Sequence, residues 1–482
     1  MSSFKNKAFN GTFWTFFEQL GVKGISFIVQ ILIARLLIPE DFGLIAMIAV
    51  FVAFGDLLVD SGLGQSLIRT KNPKQADYST VFYINVFFSL IIYSLIFLVA
   101  PFVADFYHRP ELVNILRVFS VAIIFGSFSV VQKAILTIDM NFKKQMLIQI
   151  PSLVTSSIIG LLLAYKDYGV WAIVAIKVLY PFFSSLLYWV QSKWTPIFIF
   201  DFDKLKYHYF FGYKLTITYM VNAFFNDIYN ILIGKYYSTN TLGFYNRATT
   251  FQRFPTVLAG KSISRVAYPL FTKIDGNNDK QKNILMKINK LIVFLFVPLM
   301  LFLAFNANEI IVFLLTEKWS NITLFFQILC LGSLLEPMNH YYGSLINSHG
   351  DSSLVLKIVF YSRILTVIGL LLIFKKGVYP LVIFQVINML FISLIFMCFG
   401  GRKVKYNLIQ QFRDVFPEFA ICIFICLMTF CFNYFVNVDG FYSIITNFLF
   451  FIIFYIITCE ILKFQTYIFI KRGLILLIKK YN

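Results

Sequence analysis

A chain of 482 residues in which 13% of side chains are charged, 59% are hydrophobic and 59 are phenylalanine cannot clothe itself in a polar surface, since soluble chains carry about 25% charged residues. Its mean hydropathy of +0.77 fits a polytopic helical membrane protein. The net charge of +19 then reflects Lys and Arg collecting in loops on one side of a bilayer, with no nucleic acid as partner.

Apolar runs of about 20 residues, divided by polar breaks, predict about fourteen transmembrane helices in an all-α integral membrane protein. The first six cover roughly 12–38, 42–64, 80–104, 112–136, 146–165 and 169–191. Lys5 and Lys7 precede a run too long for the apolar core of a signal peptide, so it reads as the first span. These six form an N-lobe, 1–191, followed by a basic linker at 192–209. A second lobe, 210–400, holds six more spans, roughly 210–234, 241–271, 288–306, 320–346, 352–374 and 378–400. Residues 401–482 add spans at roughly 418–436 and 441–463 and a basic amphipathic tail suited to lying on the membrane surface.

Loop charge supports this count. With both termini cytoplasmic, twenty-two Lys and Arg fall in cytoplasmic loops and the tail. Seven fall outside: Arg35, Arg109, Lys166, Lys235, Lys318, Lys375 and Lys376. The least apolar segment, 241–271, must cross for this to hold, because otherwise every later loop inverts and GGRKVKYNLIQQFR faces outward. A weak internal repeat agrees with two similar lobes. IARLLIPEDFGL (33–44) and IGKYYSTNTLGF (233–244) align without gaps at an offset of 200, each joining the first and second spans of its lobe.

The stretch YNRATTFQRFPTVLAGKSISRVAYP (245–269) holds Arg247, Arg253, Lys261 and Arg265 and no acid. On an ideal helix Arg247, Lys261 and Arg265 fall within about 40° of one another, and Arg253 about 120° away. Each such cation facing lipid near a helix centre would cost at least ~2.5 kcal/mol. They are therefore expected to face a hydrated cavity, with snorkelling of the outer pair as the plainer alternative. Lys23, Lys177 and Arg363 lie deep enough in their spans to join them as substrate-binding candidates, and Asp227 and Glu336 are candidates for coupling to an ion. Asp56 and Asp60 read as partners of neighbouring cations. Cations outnumber acids, so the cavity is positive and its ligand negative.

Catalytic signatures are poor. DFD at 201–203 has the spacing of a nucleotide-sugar site but lies in a short linker, and His108, His208, His340 and His349 form no metal pattern. The six cysteines lie in or beside apolar runs without metal-ligand spacing. A membrane glycosyltransferase or polymerase would display acids on a long outer loop. A cation-coupled drug antiporter would have an acidic, aromatic cavity.

The segments ARLLIPEDFGLIAM (34–47), DSGLGQSLI (60–68), LTIDMNFKK (136–144), LGFYNRATTFQRFP (242–255) and SRVAYPLF (264–271), with the fourteen-span layout, resemble the multidrug/oligosaccharidyl-lipid/polysaccharide (MOP) exporter superfamily. Within it the chain is similar to Wzx-type oligosaccharide flippases. The resemblance implies a V-shaped, MATE-like pair of lobes plus two trailing helices in the bacterial cytoplasmic membrane. It implies flipping of an undecaprenyl-pyrophosphate-linked oligosaccharide for O-antigen, capsule or exopolysaccharide assembly. It also implies alternating access coupled to Na+ or H+, no bound cofactor, and partners among other polysaccharide-assembly proteins. The alternatives remain a MATE-like antiporter and, further off, a membrane-bound glycosyltransferase or polymerase.

Overall fold

The computed structural model describes residues 21–472 apart from Ser61, Asp275 and 437–439, and leaves the side chains of Lys261, Ser262, Phe441 and 434–436 outside the described set. Among the described residues every regular element is helical. That is what hydrocarbon demands: only a helix satisfies its backbone N–H and C=O groups within one strand of chain.

Chain contacts divide the protein into two units, one up to Gly243 and one from Phe244 onward. The first contains α1 (21–36), α2 (Pro39–Asp60), α3 (Leu63–Arg69), α4 (Gln75–Tyr107), α5 (Leu112–Phe119), α6 (Val121–Ser127), α7 (Val130–Ile138), α8 (Phe142–Tyr165), α9 (Val170–Gln191) and α10 (Phe202–Tyr236). Next comes α11 (Thr239–Lys273), whose first five residues belong to the first unit and whose remainder belongs to the second. The second unit continues with α12 (Asn278–Phe305), α13 (Ala307–Leu315), α14 (Ile322–Gly332), α15 (Glu336–Ser348), α16 (Ser352–Ile373), α17 (Val378–Lys403), α18 (Leu408–Val436), α19 (Gly440–Ile461) and α20 (465–472). The expected amphipathic tail is helical over 465–472, and its remainder lies outside the described residues.

Ten of the spans are long and apolar enough to cross a membrane, or eleven when the bent run Leu112–Ile138 is counted as one. α10 and α11 have 35 residues each, about 52 Å of helix, but are more polar. With these two and α1 the described helices are consistent with the fourteen spans expected.

Two features depart from the expected layout. The linker at 192–209 is non-helical only to Asp201, because Asp201 caps α10 by accepting from the Asp203 and Lys204 amides at 2.9 and 3.1 Å. The DFD motif is therefore a helix cap. The extended segment is pinned to α4: Trp194 Nε1 donates to Gln75 Oε1 at 2.7 Å, and the amides of Ile197 and Asp201 donate to Ser79 and Thr80 at 3.1 Å each. Second, α10 packs on α2, α3 and α4, so contacts divide the chain at 243/244 where the repeat divides it near 191–210. One close approach is at Gly62, whose φ is +66°; a Cβ there would lie 2.8 Å from Gly212 Cα of α10.

The fourth span of each block is interrupted. Leu112–Ser127 meets Val130–Ile138 at 42°, where Trp189 Nε1 caps the Phe128 carbonyl at 2.9 Å. In the second unit α14 and α15 are separated by residues 333–335, with Pro337 in the first turn of α15, a position that needs no amide donor. Side chains such as Leu98 and Phe102 on α4 or Phe360 and Leu371 on α16 remain largely exposed, as expected of surfaces that face lipid.

The offset of 200 in the sequence has a structural counterpart. A Cβ on Gly43 would lie 2.1 Å from the Thr239 carbonyl oxygen, and one on Gly243 would lie 1.9 Å from the Pro39 carbonyl oxygen. The first turns of α2 and α11 thus cross backbone to backbone, and each glycine meets the repeat-equivalent partner of the other.

Candidate functional site

In the first unit the sequence candidates lie on three helices. Lys23 is half-buried on α1, Lys177 is exposed on α9 and Asp227 is half-buried on α10. Lys177 lies close enough to Asp56 of α2 for their charges to interact, and Lys133 does the same for Asp60. Asp60 also accepts from the Gly64 amide at 3.3 Å. Asp227 accepts from Asn230 Nδ2 at 2.8 Å and reaches the buried Tyr107 of α4 with its charge.

In the second unit α11 carries the cation series. Arg247 is half-buried and donates to Asn246 Oδ1 at 3.1 Å, whereas Arg253 and Arg265 are exposed. Arg247 and Arg265 are 18 residues apart, which returns them to one face of the helix about 27 Å apart. The Lys261 side chain lies outside the described residues. Arg363 is half-buried on α16.

The site residues brought together are Arg253 and Glu336. Glu336 opens α15 beside α11, with the Gln252 side chain as hydrogen-bond partner and Arg253 as neighbouring charge. Gln252 is buried and its amide also donates to Thr256 Oγ1 at 3.0 Å. One turn along α15, His340 fills the notch of Gly260, where a Cβ would lie 2.3 Å from its Cδ2.

Two polar networks were not foreseen. In the first unit His208, wholly buried two residues before the expected seventh span, bonds Ser66 at 2.8 Å and Asp77 at 3.2 Å. Lys204 completes the group with a 3.0 Å ion pair to Asp77. Burial lowers the His208 pKa, with Asp77 opposing. The order Ser–His–Asp looks catalytic, but Ser66 and His208 are 2% and 0% exposed, so no substrate reaches them and their work is structural. In the second unit Asn289, Tyr341, Tyr342 and Gln411 join α12, α15 and α18 through bonds of 2.7 to 2.8 Å. Asn289 could have been suspected as an amide at the start of an apolar run, whereas Gln411 lies in the basic stretch GGRKVKYNLIQQFR; sequence does not tell which helices they join.

The chain so described can be set against known proteins. A family model for a polysaccharide biosynthesis protein matches residues 32–324. The chain belongs to this polysaccharide biosynthesis family. Among curated relatives of the family, the teichuronic acid biosynthesis protein TuaB of Bacillus subtilis (strain 168) is 24% identical over 356 residues, 73% of this chain and 74% of TuaB. The lipopolysaccharide biosynthesis protein WzxC of Escherichia coli (strain K12) is 22% identical over 351 residues, covering 71% and 70%. Among solved structures, the lipid II flippase MurJ in an inward closed conformation superposes with a TM-score of 0.72 at 18% identity, over 94% of this chain and 98% of MurJ. An inward-facing MATE transporter of the MOP superfamily gives 0.62 at 15% identity, over 79% and 94%. The fold of this family member is therefore the one shared by MurJ and that MATE transporter.

Proposed function

We propose that this protein flips an undecaprenyl-pyrophosphate-linked oligosaccharide repeat unit from the cytoplasmic to the outer leaflet of the bacterial cytoplasmic membrane, for surface polysaccharide assembly. The observation that carries the proposal is α11: a 35-residue helix with Arg247, Arg253, Lys261 and Arg265 along it, in a chain of the polysaccharide biosynthesis family. A pyrophosphate supplies negative charge; Arg can hold it through paired hydrogen bonds and Lys as a point charge. Sugar then occupies hydrated space while the polyprenyl chain stays in lipid. Lys23, Lys177 and Arg363 add positive potential. Both termini are cytoplasmic in this scheme, and alternating access is driven by an ion or by the membrane potential, with Asp227 and Glu336 as the coupling acids.

The test is depletion of the protein in cells whose polysaccharide is labelled with a radioactive sugar. A complete repeat building up on undecaprenyl pyrophosphate, inaccessible from outside, is the expected result. Failure to make the repeat would indicate an earlier enzymatic step, and undiminished export would favour a drug antiporter. Within the same assay Arg253→Ala combined with Lys261→Ala should lower export at least tenfold at equal expression; near-normal export would remove α11 from the binding site.

A further inference from the structure

We propose that Glu336 is a proton-binding site in competition with the anionic ligand for Arg253, so that binding a pyrophosphate-bearing lipid draws one proton onto the protein. The proposal rests on the flippase reading and gives it a coupling ion.

Its basis is the interrupted tenth span. Glu336 opens α15 after the break at 333–335. Its Oε2 is buried without a hydrogen-bond partner among the described residues, and so is Oδ1 of Asn339. Residues three apart are neighbours on one helix face. Two oxygens that can only accept are thus buried on one face of α15, and each unmet group costs free energy. A proton taken from water turns Oε2 into a donor, for which Asn339 Oδ1 on the same face is the acceptor. One proton satisfies both atoms. Two oxygens do not make a coordination shell for a metal cation, and Arg253 would repel one.

The partner on α11 is built to respond. Gln252 is buried and fixed through Thr256, and its side chain hydrogen-bonds the carboxyl group. Arg253, the next residue, is exposed and can engage a ligand. The His340–Gly260 contact keeps the two helices in register. Other elements packed on α15 are α12, α16 and α17. They carry Asp279, Lys280, Lys282, Lys287 and Lys290, then Lys357, Tyr361 and Arg363, and finally Tyr379, Cys398, Arg402 and Lys403. The charge that bears on Glu336 is that of Arg253.

While Glu336 is ionised it offsets Arg253. A pyrophosphate that engages Arg253 withdraws that cation and adds negative charge near a buried carboxylate, which then takes up a proton. Linkage is reciprocal, so protonating Glu336 must strengthen anion binding by the same factor.

The experiment uses the full-length protein in lipid nanodiscs and undecaprenyl pyrophosphate as probe. Affinity is measured from pH 5.5 to 8.5, and proton uptake is followed with an indicator dye in weak buffer. Wild type should bind more tightly as pH falls, by up to about tenfold per pH unit, the limit for one linked proton. Glu336→Gln should bind at every pH with the affinity wild type reaches in acid and take up about one proton fewer at alkaline pH, which also subtracts the probe's own titration. Arg253→Gln should bind weakly and lose the same pH dependence. If Glu336→Gln does not fold, Asn339→Leu should move the rise in affinity toward lower pH, because the proton loses its acceptor. Wild-type slope and uptake retained in these variants would overturn the proposal while leaving the flippase reading intact. Wild type that binds the probe at no pH would overturn both.

Discussion

Gln252 and Arg253 are consecutive, yet one is 2% exposed and the other faces outward from α11. A 100° step on a helix is enough to put a fixing group and a responsive group on the same carboxylate. His208 shows a different outcome for a polar residue near a span. Wholly buried, it is held neutral by desolvation, and its pKa lies below the ordinary 6.5. A base with a depressed native pKa binds fewer protons folded than unfolded. Its contribution to stability is therefore present above about pH 6.5 and lost as pH falls below that. The melting temperature in detergent should drop between pH 7 and 5.5, and His208→Gln should flatten that drop. Thermal unfolding across this range checks it, and equal slopes in the two proteins would contradict it. Such pairings were illegible beforehand: Asp77 and His208 are 131 residues apart, and no local pattern links them.

At the scale of elements, apolar length was legible because hydrocarbon imposes it, and even polar α11 was placed by the parity of the loop charges. The breaks in the fourth and tenth spans were not. LGSLLEPMNHYYG looks continuous in hydropathy, although Gly332 and Pro337 bracket the break and Glu336 opens the new helix. What fixes the trailing helix α18 within the second unit was also hidden. Tyr342 accepts from Asn289 Nδ2 at 2.8 Å and donates to Gln411 Oε1 at 2.7 Å, and Gln411 in turn bonds the Tyr406 and Met397 carbonyls at 2.7 and 3.0 Å. Tyr342→Phe leaves two buried amide groups without that hydroxyl, which should cost about 2 kcal/mol. Tyr361→Phe, at a side chain 66% exposed, should change stability by less than about 0.5 kcal/mol. Denaturant or thermal unfolding of the two variants side by side decides whether the network anchors the helix.

For the whole molecule, the repeat at offset 200 makes a claim that a single unrelated contact could not. Repeat spacing reveals kinship between lobes but not which helices touch, so α10 joined the first unit against the expected division. At Pro39, Gly43, Thr239 and Gly243, however, kinship and contact coincide. Each glycine lies under the carbonyl of the other repeat's first turn, and a methyl group on either would stand 2.1 or 1.9 Å from an oxygen. The neighbour is backbone, so relief requires the helix ends to separate, at a cost of about 1–3 kcal/mol for overpacking. Gly43→Ala and Gly243→Ala should therefore destabilise by similar amounts. Once one substitution has parted the helices, the second finds room already made, and the double variant should cost at least ~0.5 kcal/mol less than the sum. Unequal single effects that add in full would mean that the two clashes are relieved separately, and that the crossing is not one symmetric joint.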